Sequence, residues 1–148
     1  MVYQPQIIVI GAGIVGLSTA YTLLEQGMRN VRVLEQAVVN HTRCPSASIS
    51  RLLRFEYGSD ALYSLMVQRS LALWQELERK TSKNIYTPTG ILALGQEGDD
   101  TRQAYEVTRA LGLPSERLSV ADCQQRFPQF SLRDDAVLTY NAAGGILH

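Results

Sequence analysis

The chain has 148 residues, of which 45% are hydrophobic and 19% charged, with 14 basic side chains balanced by 14 acidic ones. This composition excludes a disordered chain, and zero net charge removes any electrostatic argument for a nucleic-acid or anionic-membrane partner. The length is that of one ordinary domain, long enough to bury a real core.

No basic segment precedes a hydrophobic core at the N-terminus, and no apolar run reaches the ~18 residues of a membrane span. The expectation is therefore a cytoplasmic chain without signal or anchor. Cys44 and Cys123 lie far apart without ligand-like neighbours, so they read as free thiols and no metal site is expected. Of the basic residues only Lys80 and Lys83 are lysines. Arginine suits bidentate recognition of carboxylate and phosphate, so individual arginines merit inspection.

The apolar run Ile7-Ile8-Val9-Ile10 stops at Gly11-Ala12-Gly13-Ile14-Val15-Gly16. An unbroken β-branched run of this kind reads as a fully buried parallel strand. A helical pattern follows from Leu17 to Gln26, with Gly27 placed to end it. Each glycine has a physical task in a dinucleotide fingerprint: Gly11 permits a tight turn, Gly13 lets backbone approach a pyrophosphate, and Gly16 lets helix and strand pack closely. The N–H groups and dipole at the helix start then attract phosphate charge. A second strand, Val31 to Leu34, ends in Glu35, close to the position where the motif places an acid for ribose hydroxyls. The bland alternative is a glycine-rich turn in a core strand; the order strand, glycines, helix, strand, acid favours the dinucleotide.

From Ala37 to Ser50 the pattern breaks into a loop. Arg51-Leu52-Leu53-Arg54-Phe55 restores order and Tyr57-Gly58 closes it. The two arginines are either solvated surface charges or, following closely on the dinucleotide acid, a pair facing a cofactor and a substrate carboxylate. Ser59 is the expected N-cap of a long amphipathic helix to about Lys80, with Leu62, Leu65, Met66, Leu73, Trp74 and Leu77 at its 3.6 period and Trp74 read as core. β structure over Asn84 to Leu94, turning at Pro88-Thr89-Gly90, is expected to end at Gly95. A helix over Asp99 to Leu111 capped by Gly112, a shorter one from Ser119 to Phe127, and a strand over Ala136 to Tyr140 follow. In the shorter helix Asp122 stands in a capping-box position. Gly144-Gly145-Ile146-Leu147 begins a further element. No internal repeat or low-complexity tract is present.

These segments, taken together, resemble the N-terminal part of an FAD-dependent amine oxidase of the sarcosine oxidase group, in the larger family of D-amino-acid oxidase and glycine oxidase. Besides the fingerprint, the resemblance lies in Ser50-Arg51-Leu52-Leu53-Arg54 with Tyr57-Gly58 and in Leu73-Trp74-x-x-Leu77-Glu78. It continues through Thr89-Gly90-Ile91-Leu92 with Gly95, Arg126-Phe127-Pro128, and Gly144-Gly145-Ile146. It spans nearly the whole chain and implies an α/β fold: a Rossmann-like FAD-binding βαβ unit followed by the start of an α+β substrate domain. The expected layout is residues 1–58 as the first part of the FAD-binding domain and 59–140 as mainly helical segments opening the substrate domain. Residues 141–148 would return toward the FAD-binding domain.

The resemblance also implies that Gly11, Gly13, Ile14 and Gly16 bind the FAD pyrophosphate and that Glu35 binds the adenosine ribose, with Gln36 beside it in the cofactor set. Arg43, Ser46, Ser50 and Arg51 would line the path to the flavin, and Arg54 would pair with the substrate carboxylate. The implied reaction is oxidation of the C–N bond of a secondary amine or N-methyl amino acid, giving an imine and, with molecular oxygen as acceptor, peroxide. The pattern departs at Cys44-Pro45-Ser46-Ala47, where the group carries a histidine over the flavin. It departs also in length, so the expected partner is the remainder of an enzyme or another subunit. Two other readings stay open: a flavin dehydrogenase of the same fold with a different acceptor, and a non-catalytic nucleotide-binding or subunit protein. An NAD-dependent dehydrogenase fits less well, because the loop-and-arginine segment has no place in it.

Overall fold

A computed structural model describes residues 6–39, 41 and 48–148 and divides the chain into two compact units, Met1–Ile49 and Ser50–His148. Arg43 and the whole departure Cys44-Pro45-Ser46-Ala47 lie outside the described residues.

The first unit is a βαβ: strand β1 (Ile7–Ile10), helix α1 (Ile14–Glu25) and strand β2 (Val31–Leu34). The strands pair in parallel from Ile7 opposite Val31 to Ile10 opposite Leu34. Helix α1 begins three residues before the expected Leu17, because Gly13 is the N-cap and Gly16 lies inside the first turn. It ends in a Schellman motif: Met28 N–H donates to the Leu23 carbonyl and Gly27 N–H to that of Leu24, with Gly27 at φ +88°. The expectation of a fully buried β1 is corrected, since Ile8 and Ile10 are exposed, Ile10 to 86%. Two strands and one helix cannot enclose an apolar strand on both faces.

The second unit holds two antiparallel three-stranded sheets. In the first, β8 (Gly145–Leu147) lies between β3 (Arg51–Leu53) and β4 (Tyr86–Thr87). In the second, β7 (Ala136–Asn141) lies between β5 (Ile91–Gln96) and β6 (Ser115–Leu118). Strand β5 passes through Gly95 instead of ending there, and β6 is an element that Ser-Glu-Arg-Leu does not announce, because Leu118 alone of its four side chains is buried.

Helix α2 (Ala61–Thr81) is capped by Asp60, whose carboxylate accepts from Leu62 N–H at 2.9 Å, not by Ser59. Ser59 is taken up in the preceding turn, which Asp60 N–H closes onto the Tyr57 carbonyl. The inward stripe of α2 runs through Ser64, Val67, Leu71, Trp74 and Glu78, while Leu62, Leu65, Met66 and Leu73 are exposed. Helix α3 (Asp100–Ala110) buries Ala104 and Thr108 and packs against β5, β6 and β7. Helix α4 (Val120–Arg126) is capped by Ser119, whose hydroxyl accepts from Asp122 N–H and donates to the Asp122 carboxylate. Its Cys123 joins Leu118 and Leu138 in the core, with Leu92, Phe127 and Tyr140 around them. Cys123 is a free thiol. Among the described residues no helix is long and apolar enough to cross a membrane.

Candidate functional site

In the first unit the glycine turn and the acid after β2 meet. Gly11 has φ +95° and donates its N–H to the Leu34 carbonyl at 2.7 Å, closing the turn onto β2. Glu35 Oε2 accepts from Ala12 N–H at 2.8 Å and Oε1 from Ala37 N–H at 3.2 Å. These donors, Ala12 first, hold the Glu35 carboxyl below the usual carboxylate range. Ala12 went unnoticed in the sequence because its contribution is a backbone N–H, and a side-chain pattern carries no signal for it. Gln36 is exposed beside Glu35.

The start of α1 is suited to an anion. Gly13 supplies no side-chain cap and the first turn carries no acid, so no acidic side chain of that turn opposes an incoming negative charge. Ile14, the first helical residue, is 47% exposed. A Cβ on Gly16 would collide with the Gly11 carbonyl oxygen, so the helix approaches the turn as closely as only glycine permits. Residues 11–16 and 35 thus have the backbone closeness, the helix start and the acid that a dinucleotide diphosphate and its ribose require.

In the second unit Ser50 and Arg51 are exposed, and Arg51 stands opposite Leu147 in the β3–β8 ladder. Arg54 follows the strand; its guanidinium lies over the Tyr57 ring, 5.0 Å from the centroid. Tyr57 in turn meets the Tyr63 ring at 5.6 Å. Among the described residues no carboxylate pairs with Arg54. Between Arg54 and Tyr57 the chain is anchored in the interior. Phe55 is 1% exposed, its N–H donates to Glu56 Oε2 at 3.0 Å, and its carbonyl accepts from Ser64 Oγ at 2.6 Å. Glu56 Oε1 accepts from Asn141 Nδ2 at 2.9 Å, and Asn141 Oδ1 accepts from Ala143 N–H at 3.0 Å. Neither Glu56 nor Asn141 is singled out by the sequence, since they stand 85 positions apart. Among the described residues no group of three or more His, Cys, Asp or Glu side chains could hold a metal ion.

Comparison with known proteins bears on the family of the chain. Residues 6–148 match the family model of the FAD dependent oxidoreductases (DAO). The chain is 34% identical over 142 residues to the peroxisomal sarcosine oxidase of Mus musculus, covering 95% of this chain and 36% of that enzyme. It is 28% identical over 143 residues to the monomeric sarcosine oxidase of Bacillus sp. (strain B-0618), again covering 95% of this chain and 36% of that enzyme. Among solved structures, the open form of a point mutant of NikD, an unusual amino acid oxidase essential for nikkomycin biosynthesis, superposes with a TM-score of 0.80 at 24% identity. That match covers 96% of this chain and 37% of the NikD chain. The chain therefore spans little more than a third of the length of these proteins. The family match over nearly every residue, together with the glycine turn tied to Glu35, makes this chain a member of the DAO family of FAD-dependent oxidoreductases.

Proposed function

We propose that the chain is the N-terminal portion of an oxidase that oxidises the C–N bond of a secondary amine or N-methyl amino acid to an imine, a hydride equivalent leaving the carbon beside the nitrogen and a proton leaving the nitrogen. The observation that carries the reading is Arg54: an exposed guanidinium, seated on Tyr57, whose fork has no carboxylate partner among the described residues. A planar fork of this kind matches a substrate carboxylate bidentately. Likeness to sarcosine oxidases supports an N-methyl amino acid as the substrate that brings that carboxylate.

Gly11, Gly13, Ile14 and Gly16 would hold the FAD diphosphate, and Glu35, with Gln36 beside it, the adenosine ribose. Ser50 and Arg51 would lie toward the flavin. FAD held there would supply the two-electron acceptor, with molecular oxygen as the proposed final acceptor and peroxide as its product. The contribution of this chain is binding and orientation: Glu35 keeps the Ala12 peptide and the turn in shape, and Arg54 anchors the substrate through its carboxylate.

The test is an oxidase containing these 148 residues, isolated with its flavin band and assayed for peroxide with sarcosine and with cyclic secondary amino acids. Amine-dependent peroxide release supports the reading. Flavin reduction by the amine that is reoxidised only by an artificial acceptor would move it to a dehydrogenase. A chain that binds FAD but is reduced by no amine would leave a nucleotide-binding protein.

A further inference from the structure

We infer that the buried Glu56–Asn141 pair is a positioning device for Arg54; the inference rests on the reading of Arg54 as the carboxylate anchor. Glu56 is 9% exposed and Asn141 1% exposed, and no ion pair among the described residues includes Glu56. A carboxylate buried against neutral donors costs stability that an apolar side chain would not, so what it contributes is geometry.

The geometry is fully determined. Ala143 N–H holds Asn141 Oδ1, which turns Nδ2 toward Glu56 Oε1. Phe55 N–H takes the other carboxylate oxygen, Oε2. Both oxygens of Glu56 are therefore acceptors, and a carboxylate satisfies both where an amide satisfies one. Asn141 sits at the end of the central strand β7, opposite Ile91 of β5 and Ser115 of β6. The pair thus fastens the segment after β3 to the middle of a sheet.

Arg54 is mounted between two fixed points. On its N-terminal side Leu53 is locked in the ladder opposite Gly145. On its C-terminal side every group of Phe55 is engaged: ring buried, N–H on Glu56, carbonyl on Ser64. The peptide N–H that Glu56 holds belongs to the same plane as the Arg54 carbonyl, so Glu56 orients the backbone from which the guanidinium projects. Small displacements of a bidentate anchor weaken it, because two hydrogen bonds must align together.

The decisive variants are Glu56→Gln and the exchange Glu56→Gln/Asn141→Asp. Alone, Glu56→Gln sets an amide donor against Phe55 N–H or Asn141 Nδ2. In the exchange all three hydrogen bonds return with the carboxylate on the other partner. The aspartate then accepts from Ala143 N–H and from the glutamine amide, and the glutamine carbonyl accepts from Phe55 N–H. In a flavin-loaded oxidase containing these residues, Glu56→Gln should raise KM for sarcosine roughly tenfold, the equivalent of about one misaligned charged hydrogen bond, with kcat little changed. It should leave kcat/KM for a matched amine lacking the carboxylate unaltered, and the exchange should restore KM.

Hydrogen exchange at the Phe55 amide supplies a readout apart from turnover: faster in Glu56→Gln, slow again in the exchange. Equal losses on both substrates, or an exchange variant that recovers Phe55 protection without recovering KM, would overturn the proposal. Arg54→Ala is measured alongside. If it discriminates between the substrates and Glu56→Gln does not, the positioning role alone is refuted. If Arg54→Ala itself does not discriminate, the anchor reading falls and takes this proposal with it.

Discussion

The Glu35 carboxylate reaches back 23 positions to the backbone N–H of Ala12, at 2.8 Å, and so fastens the end of β2 to the glycine turn after β1. Donation from Ala12 and Ala37 favours the ionised acid and lowers its folded pKa. A lowered folded value means that the tie stabilises the turn at pH above the unfolded carboxylate value. That contribution is lost as pH falls through the folded value. The Ala12 amide, corrected for intrinsic exchange, should therefore lose protection on acidification. In Glu35→Ala it should be unprotected throughout, with FAD affinity reduced. Protection in the variant equal to that of the parent would show that the tie does not hold the turn.

Gly16→Ala and Gly11→Ala should fail for different reasons. At Gly16 the new Cβ runs into the Gly11 backbone carbonyl, which no rotamer relieves. Overpacking of this kind costs about 1–3 kcal/mol and should also abolish FAD binding by moving α1 off the turn. At Gly11 nothing lies within 4 Å, so the cost is conformational, about 1–2 kcal/mol for placing a side chain at φ +95°. Urea unfolding combined with flavin titration separates them: Gly11→Ala should lose stability with a smaller loss of flavin affinity.

Gly145→Ala tests the sheet that carries Arg51. Its Cβ would collide with the Thr87 carbonyl oxygen, between β8 and β4. The expected destabilisation is about 3 kcal/mol, with exchange accelerated first at the β3 and β4 amides facing β8. Unchanged unfolding would mean that β8 pairs otherwise.

Arg54→Lys should cost binding of carboxylate-bearing substrates although charge is kept, because an ammonium cannot reproduce the fork. Loss of a charge-assisted pair corresponds to about 1.5–3 kcal/mol, roughly a 10- to 150-fold change in kcat/KM. Amines without the carboxylate should be nearly unaffected. Arg51 variants should instead perturb flavin binding or reduction for every substrate. An Arg54 effect equal on both substrate types would remove it from the substrate site.

What was legible in the sequence was local. The strand–glycine–helix–strand run, the Schellman glycines Gly27 and Gly112, and the Ser119 cap each depend on neighbours within a few residues, where propensity and capping act. Even there one residue of context changed the outcome: Asp60 displaced Ser59 as the cap of α2, since the turn from Tyr57 had already taken Ser59.

Tertiary structure decided what depends on distant partners. Strand β6 exists because β7 offers it a ladder, although its own side chains show no alternation. The hydrophobic period of α2 admits more than one buried stripe, and the anchoring of Ser64 on Phe55 selects the one through Trp74. The glycines and Glu35 were visible as a pattern, but the bond between Ala12 and Glu35 needed the parallel pairing of β1 with β2. Glu56 and Asn141 were invisible, because a buried polar pair is specified by two positions meeting in space. No periodicity within either segment records that meeting.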